Sequence, residues 1–350
     1  MKFGLFHHVP WPSEAAHGQV LRETVEQVCL AEELGFHSAW LAEHHFSRYG
    51  LASSSLLLAT HIAARTSRIR IGTGITILPI RHPLLVAEET ATLDVLSNGR
   101  LDFGVGSGGP AELRAFGVDV EESRARFAEV SDMVVGLWTQ PVYSHQGKFF
   151  NARRLSLSPR PVQRPHPPVY AAVRSPWSVE FAVDRDMRYV TGVLPDTAEA
   201  LQQRRFYLDT AAKKGKRPDP AETPFFRYVY VAGTDEQARR DTEKHLTWVW
   251  ECLAWQRGQT DAGLSLDEWL STRSQPAVTY EDLYDKKAFF GTPDKVLRQI
   301  EELRDRHGVE YFGGNFCFGG LDHAKAMRSM ELFAKDIMPR LRTTSADPTS

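Results

Sequence analysis

The stretch IRIGTGITILPIRHPLLVAEETATLDVLSNGRLDFGV, residues 69–105, indicates one complete strand–helix–strand unit. Ile69–Ile77 is short and rich in β-branched residues, which is typical of a buried strand. His82–Leu96 has a helical pattern with proline in its first turn, where a missing N–H is tolerated, and Asn-Gly follows its end. Leu101–Val105 is a second short strand. Because a helix joins the two strands, the unit favours a parallel sheet.

The same alternation extends in both directions along the chain. Further strands are predicted at Lys2–His7, His37–Leu41, Val169–Val173, Arg188–Thr191, Phe225–Ala232 and Tyr311–Phe318. Helices are predicted at Gln19–Leu34, Ser53–Ala64, Glu121–Trp138 and Pro176–Arg185, and after Asp196 (a capping-box pattern with Glu199), Thr234 (the same pattern with Gln237), Thr292 and Asp322. Eight strands alternating with helices predict an α/β fold. A closed (β/α)8 TIM barrel is favoured over an open doubly wound sheet.

We expect a single barrel domain over residues 1–342 and a disordered polar tail at 343–350. Two long segments interrupt the strand–helix rhythm, at 140–168 and at 256–290. Structureless loops of this length are uncommon inside a compact domain. The two segments are therefore expected to be insertions near the mouth of the barrel.

The composition restricts the classes of function. The net charge is −2, so the chain lacks the basic surface that is typical of a nucleic-acid-binding protein. The three cysteines fit no metal-binding or disulfide spacing, which favours reduced thiols in a cytosol. The N-terminal sequence lacks the apolar core of a signal peptide, and no apolar run approaches the ~20 residues of a membrane helix. We expect a cytoplasmic protein without a membrane or nucleic-acid partner.

Polar side chains cluster where the predicted strands end, and this is where barrel enzymes place their active sites. In chain order, the residues at these ends are His7 and His8, then Glu43, His44, His45 and Phe46, then Gly74 and Ile75, then Gly104–Gly109, then Arg174 and Ser175. A histidine at such a position could act as a general base, because its pKa of about 6.5 allows proton transfer near neutral pH. Packing beside Glu43 is an open alternative. A metal site is disfavoured, because adjacent residues on a strand face opposite sides.

The sequence Gly104-Val-Gly-Ser-Gly-Gly109 matches the dinucleotide-binding pattern G-x-G-x-x-G. It follows the fourth predicted strand rather than the first, Pro110 comes directly after it, and no acidic residue closes a following strand. The glycines therefore indicate a close approach of backbone to a ligand. Arg124, Arg174 and Ser175 could bind a phosphate there, although surface salt bridges would equally account for the two arginines.

Together these residues resemble the bacterial luciferase-like flavin-dependent monooxygenase family, including its luciferase alpha subunits, over about residues 1–342. The matching pieces occur in one order and are Met1–Phe6, Gly35–Phe46, Ile71–Pro79, Leu96–Arg100, Phe116–Gly117, Ser123–Arg124, Pro161–Pro168, Phe290–Pro293 and Ser329–Pro339. The resemblance implies a luciferase-like barrel that binds reduced FMN at the strand ends. In the family, oxygen adds to the flavin C4a position, and the resulting peroxide oxidises a small organic substrate.

The resemblance also implies roles for individual residues. His44 is similar to the family's catalytic histidine, and His45 to a second histidine that members need. Gly74-Ile75 resembles the position of a non-proline cis peptide that lies against the flavin ring. The other expected cofactor-binding residues are Gly106, Ser107, Arg124, Val173, Arg174 and Ser175. The expected substrate pocket is apolar or aromatic-tolerant and contains Phe6, His7, Trp11, Phe46 and Trp177.

Three positions depart from the luciferase alpha pattern. Gly106 and Ser107 stand where that subunit has a reactive cysteine and an arginine, and Arg174 stands where it has a glutamate. We therefore expect a rearranged phosphate site, in which Arg174 replaces the missing arginine. Hydroxylation or Baeyer–Villiger oxidation of a small substrate agrees with the sequence at least as well as light emission does.

The sequence shows no convincing nicotinamide site, so a separate NAD(P)H:flavin reductase is expected to supply the reduced FMN. The resemblance further implies a homodimer formed through the early helices. Three other functions remain open at this point. They are an F420-dependent dehydrogenase of the same fold, a non-catalytic flavin-binding protein and a metal-dependent hydrolase.

Overall fold

The structure is a computed structural model, and it describes residues 1–12, 16–258, 265–272 and 278–342. The strands are β1 (Lys2–His7), β2 (Ser38–Leu41), β3 (Arg70–Thr73), β4 (Thr76–Ile77), β5 (Leu101–Gly106), β6 (Tyr143–Gln146), β7 (Asn151–Leu155), β8 (Val169–Ala171), β9 (Arg188–Tyr189), β10 (Phe225–Val231), β11 (Ala288–Gly291) and β12 (Tyr311–Asn315). The helices are α1 (His17–Glu33), α2 (Ser55–Ala63), α3 (Pro83–Leu96), α4 (Pro110–Ala115), α5 (Ser123–Thr139), α6 (Pro176–Asp184), α7 (Thr197–Lys213), α8 (Asp235–Gly258), α9 (Leu266–Ser271), α10 (Tyr280–Lys287), α11 (Pro293–His307), α12 (His323–Asp336) and α13 (Met338–Leu341). The predicted tail at 343–350 lies outside the described residues.

The central sheet has ten strands among the described residues, and eight of them follow one another in parallel in the order β10-β12-β1-β2-β3-β5-β8-β9, while β11 pairs with β10 and β4 with β5. Thr191, two residues after β9, links the last strand of this series to the first. Its backbone N–H donates to the carbonyl of Pro224 (3.3 Å), and its Oγ1 accepts from the N–H of Phe226 (2.9 Å). The eight strands therefore form a ring, and the predicted α/β barrel is confirmed.

The barrel strands are buried on both faces. Inside the ring, Trp40 packs edge-on against Tyr170, with the ring centroids 4.8 Å apart, and Phe6 packs against Phe226 at 4.9 Å. Outside the ring, the strands pack against the apolar faces of the surrounding helices. This burial on both faces explains why the barrel strands are nearly continuous apolar runs in the sequence. Within the described residues, no helix is long and apolar enough to cross a membrane.

The main differences from the prediction lie in the insertions. Segment 140–168 contains an antiparallel hairpin of β6 and β7, and segment 256–290 contributes α9, α10 and β11, which pairs with β10. The sequence analysis also did not predict α4. Asp196 precedes α7 as expected, but its carboxylate does not cap the helix. It bonds instead to the ammonium group of Lys287 at 2.5 Å, so the predicted capping box is wrong there.

Candidate active site

A cavity of about 650 Å³ opens where the parallel strands end, and we call it the mouth cavity. Its walls come from the residues that follow successive strands, from α4 and from the first turn of α6. The lining includes Glu43, His44, Tyr49, Gly74, Ile75, Gly106, Ser107, Glu112, Arg114, Arg124, Arg174, Ser175 and Trp177. Most of the residues predicted at the strand ends are thus brought together.

A smaller pocket of about 150 Å³ adjoins the mouth cavity, and we call it the side pocket. It shares His44, Tyr49, Ile75 and Arg174 with the larger cavity. Its other walls come from the end of β1, from β8 and from the segment after β9. They include Phe6, His8, Val173, Val190, Val193 and Leu194.

His44 lies at the junction of the two cavities, beside a carboxylate. Its Nδ1 is 3.4 Å from Oε1 of Glu112, which belongs to α4. Glu112 also accepts backbone hydrogen bonds from Gly109 (3.0 Å) and His45 (3.4 Å). Burial of Glu112 works to raise the pKa of its carboxyl group, but His44 and these backbone N–H groups outweigh it and lower the pKa. A charged carboxylate therefore orients the His44 ring.

His45 does not line either cavity. Its Nε2 lies 3.4 Å from Oε1 of Glu43, and its ring packs edge-on against Phe116 at 4.8 Å. Glu43 is 2% exposed and also accepts hydrogen bonds from Ser55 Oγ (2.8 Å) and from the guanidinium of Arg81 (2.9 Å). Burial opposes ionisation of Glu43, but the bonds to His45, Arg81 and Ser55 lower its pKa overall. His45 is therefore part of the support behind the mouth cavity.

The wall opposite the polar residues is formed by the peptide between β3 and β4. The Gly74–Ile75 bond is cis, at the position that the resemblance implied. A Cβ atom at Gly106 would lie only 2.7 Å from Cδ1 of Ile75. The lack of a side chain at Gly106 therefore makes room for Ile75, which contributes an apolar side chain to the cavity wall.

One end of the mouth cavity is positively charged. Arg114, Arg124 and Arg174 all line it, and no ion pair within the described part of the chain involves any of them. The guanidinium of Arg124 lies 5.9 Å from the centroid of the Trp177 ring. Ser175 caps α6, accepting from the N–H of Ser178 (3.2 Å), so the positive end of this helix dipole also faces the cavity. Three unpaired cations and a helix N-terminus are suited to an anion such as a phosphate.

These residues fit a flavin mononucleotide. The cavity volume lies within the range of cofactor and ligand sites, which is roughly 300–1,000 Å³. Its charged end matches a phosphate, and the apolar surface of Ile75 beside Gly106 matches a planar ring.

Among the described residues, no three histidine, cysteine or carboxylate side chains are grouped as metal ligands.

Three residues expected in the substrate pocket lie elsewhere. His7 is 2% exposed and faces α1, where its Nε2 contacts Oε1 of Gln27 at 3.0 Å, because successive residues of β1 point to opposite sides of the sheet. Phe46 is 78% exposed and packs beside Phe116, outside both cavities. Trp11 packs against His17, with the ring centroids 4.3 Å apart. Phe6, Val173 and Trp177 do line the cavities.

The sequence analysis did not single out Tyr49, Glu112 or Arg114, and it noted His8 at a strand end without assigning it to the pocket. Strand alternation could have selected His8, since it lies on the same side of the chain as Phe6. Glu112 is at the third position of a helix that opens with Gly-Pro, which is a helix-start pattern. No local signal identifies Tyr49, which lies in an irregular loop.

The fold and the cavity define an α/β barrel protein with a cavity at the carboxyl ends of its strands. The chain belongs to the luciferase-like monooxygenase family, whose model matches residues 1–310. The resemblance inferred from the sequence motifs is therefore confirmed.

Similar proteins include monooxygenases. The oxygenase component of a flavin-dependent trigonelline monooxygenase from Acinetobacter baylyi is 26% identical over 99% of this chain and 97% of its own length. The crystal structure of monooxygenase RslO1 from Streptomyces bottropensis is 29% identical, covers 98% of this chain and 100% of that chain, and has a TM-score of 0.84.

Two more distant structures share the fold but are named for different cofactors. The oxygenating constituent of 3,6-diketocamphane monooxygenase from Pseudomonas putida, in complex with FMN, has a TM-score of 0.78 and 22% identity, and the match covers 97% of this chain and 98% of that one. An F420-dependent secondary alcohol dehydrogenase has a TM-score of 0.75 and 19% identity, and the match covers 97% and 99%. The fold alone therefore does not select the cofactor.

Proposed function

We propose that this protein is the oxygenase component of a two-component monooxygenase, which uses reduced FMN and O2 to oxidise a small organic substrate. One observation carries the proposal. A single cavity is lined by three arginines that form no ion pair with the described residues, and by a histidine that a carboxylate orients beside the apolar side chain of Ile75. A phosphate-bearing planar cofactor would satisfy both ends at once.

The residues divide into three groups under this proposal. Arg114, Arg124, Arg174 and Ser175 hold the phosphate, and Ser107 adds a hydroxyl beside them. The Gly74–Ile75 peptide and Gly106 form the surface for the ring, and Val173, which the sequence also assigned to the cofactor, lies in the adjoining side pocket. His44 binds or moves a proton at the reacting edge, with Glu112 as its positioning residue, while His45 and Glu43 support this arrangement from behind.

When bound, reduced FMN would supply the redox chemistry, namely the electrons that activate O2 for transfer of an oxygen atom to the substrate. The protein's own part is to exclude water from the apolar wall at Ile75 and to hold His44 in place. A general acid or base at this position contributes a factor of roughly 10²–10⁴ to a rate. The substrate reaction would be a hydroxylation or a Baeyer–Villiger oxidation.

The partners follow from the same proposal. A separate NAD(P)H:flavin reductase would deliver reduced FMN by diffusion, and the trigonelline monooxygenase relative is itself named as an oxygenase component.

A homodimer is proposed through the early helices. Leu57 on α2 and Leu85 and Leu96 on α3 are 75%, 57% and 62% exposed, so these two helices offer the apolar surface that such an interface needs. Light scattering of wild type and Leu57→Lys would test the dimer.

The cofactor proposal is tested by mixing the protein with photoreduced FMN and then with oxygenated buffer. We expect the bound flavin to reoxidise more slowly than free FMN, with uptake of O2. An F420-dependent dehydrogenase would instead bind reduced F420 more tightly than FMN and consume no O2. His44→Ala should bind FMN normally and lose turnover, whereas a non-catalytic flavin-binding protein would have no turnover to lose.

A further inference from the structure

Three buried polar side chains lie between the outer face of the barrel and α7. They are Tyr189 of β9, Arg227 of β10 and Arg204 of α7, and each is at most 4% exposed. Phe226 packs inside the ring, so the neighbouring Arg227 points outward, where its Nη1 donates to the carbonyl of Pro195 (3.0 Å) just before α7. None of the three side chains lines the mouth cavity or the side pocket.

The three side chains belong to one cluster. The ring of Tyr189 stacks on Tyr207 of α7 with the centroids 5.4 Å apart, and Arg204 lies one turn earlier on the same buried face of that helix. Strand β9 runs beside β10, because Thr191 bonds to the start of β10. Burial lowers the pKa of both arginines, and the strongest influence on each of them after burial is Tyr189. The phenol therefore lies beside both guanidinium groups.

Four donor groups of this cluster have no hydrogen-bond partner among the described residues. They are Nε and Nη2 of Arg227, Nε of Arg204 and the hydroxyl of Tyr189. The other nitrogens of the two arginines donate to main-chain carbonyls. In Arg100, which is also buried, all three guanidinium nitrogens donate to main-chain carbonyls at 2.7 to 3.0 Å. Since a buried donor without a partner is costly, the four donors favour binding of a common acceptor.

The cluster also carries positive charge that no contacting carboxylate balances. Burial lowers the pKa of Arg227 to about 10, so its guanidinium stays charged at neutral pH. Burial raises the pKa of Tyr189, so the phenol stays neutral. Asp196 and Glu199 attract Arg227, but within the described part of the chain neither forms an ion pair with it, and Asp196 bonds to Lys287 instead. A buried charge of this kind favours a counter-ion.

We propose that Arg227, Arg204 and Tyr189 form a binding site for a small monovalent anion such as chloride. A halide accepts hydrogen bonds from several donors at once and supplies the balancing charge. A water molecule has fewer lone pairs than there are donors here, and it supplies no charge. Because the cluster is enclosed, a halide fits better than a phosphate. The ion ties α7 to β9 and β10, and its binding does not depend on a flavin in the mouth cavity.

The test measures urea unfolding of the whole chain at increasing sodium chloride, while sodium gluconate keeps the ionic strength constant. Gluconate is too large for an enclosed site. An ion that binds only the folded state stabilises it by mass action, so each tenfold rise in chloride above the dissociation constant should lower the unfolding equilibrium constant about tenfold. Arg227→Met should abolish this dependence. Arg100→Met is the matched control, since it removes a buried guanidinium whose nitrogens are paired, and it should keep the dependence although it lowers stability.

Two further arms keep the outcome decisive if Arg227→Met does not fold. Tyr189→Phe keeps the ring but removes one donor, and it should raise the dissociation constant of chloride about tenfold. Crystals soaked in sodium bromide should show an anomalous bromine peak within hydrogen-bond distance of Arg227 and Tyr189. The proposal is overturned by stability that does not depend on chloride, by a dependence that survives Arg227→Met, by an ordered water in place of bromide, or by bromide only at Arg114, Arg124 and Arg174.

Discussion

Oε1 of Glu112 lies 3.4 Å from Nδ1 of His44, and this contact joins the first turns of α4 to the loop after β2. The other carboxylate oxygen accepts the N–H of Gly109, so Glu112 also holds the glycine-rich loop. With Nδ1 directed to the carboxylate, the opposite edge of the ring is left for a ligand. This is the arrangement by which many enzymes fix the tautomer and orientation of a working histidine.

Replacing Glu112 with glutamine should lower turnover about tenfold to hundredfold, within the range attributed to a positioned proton-transfer group. The amide keeps the size of the side chain and can still accept a hydrogen bond from the backbone, but it loses the charge that orients His44. We expect the dissociation constant for reduced FMN to change by less than about threefold, because Glu112 is not part of the cationic end of the cavity. Stopped-flow turnover and fluorescence titration of the flavin measure the two quantities.

Glu129 provides a matched control for this substitution. It also faces a histidine, with Oε1 3.2 Å from Nε2 of His145, and also accepts backbone hydrogen bonds, from Phe149 and Phe150. It lies outside the mouth cavity, so Glu129→Gln should leave turnover unchanged. Equal losses in the two variants would mean that Glu112 acts on folding and not on His44.

The sequence predicted the barrel better than it predicted the environment of His44. Strands such as Lys2–His7 and helices such as His82–Leu96 have a clear periodicity, and their bounds agree with the structure within a residue or two. The strand-end rule then placed His44, Gly74 and Arg174 at one opening. These features depend on local patterns and on the general geometry of parallel sheets.

Other features depend on contacts between residues that are distant in the chain. Glu112 meets His44 across 68 positions, and Tyr49 meets His8 only because β1 and β2 are neighbours. Neither contact can be inferred from the sequence pattern around the residues involved. His7 was assigned to the pocket because it ends a strand, but the alternation of side chains turns it outward and leaves His8 facing in.

Replacing the arginines of the mouth cavity with neutral residues should weaken the binding of FMN. The binding of riboflavin, which lacks the phosphate, should not change. Arg114→Gln, Arg124→Gln and Arg174→Gln are each expected to raise the dissociation constant of FMN about tenfold to hundredfold, which corresponds to one charge-assisted contact of roughly 1.5–3 kcal/mol. Arg328→Gln, at an exposed pair with Glu331, should have no effect. Parallel losses for both flavins would show that the arginines do not contact the phosphate.

Adding one methyl group at Gly106 should disturb the apolar wall that Ile75 forms in the cavity. A Cβ there would lie 2.7 Å from Cδ1 of Ile75, so Gly106→Ala must push this side chain towards the ring site. We expect flavin affinity to fall at least tenfold in Gly106→Ala. In an Ile75→Ala background the same substitution should have little further effect, because the space has been vacated. Additive losses in this double-mutant cycle would contradict the proposed contact.

Burial of His7 should make the folded protein less stable in mild acid. Its ring is enclosed against α1 and its pKa is lowered to about 4, mainly by burial, while in the unfolded chain it is about 6.5. Between these values the unfolded state binds more protons, so stability is complete above about pH 6.5 and falls as the pH drops towards 4.

The size of the His7 effect follows from the same two values and amounts to about 3 kcal/mol. Urea unfolding of His7→Gln at a series of pH values should therefore show a shallower decline between pH 6.5 and 4. Part of the decline should remain, because burial lowers the pKa of His37 to about 4 as well. His61→Gln, at an exposed position of α2, should retain the wild-type slope. If His7→Gln and the wild type declined in parallel, His7 would have to be protonated in the folded state, which its enclosure against Gln27 opposes.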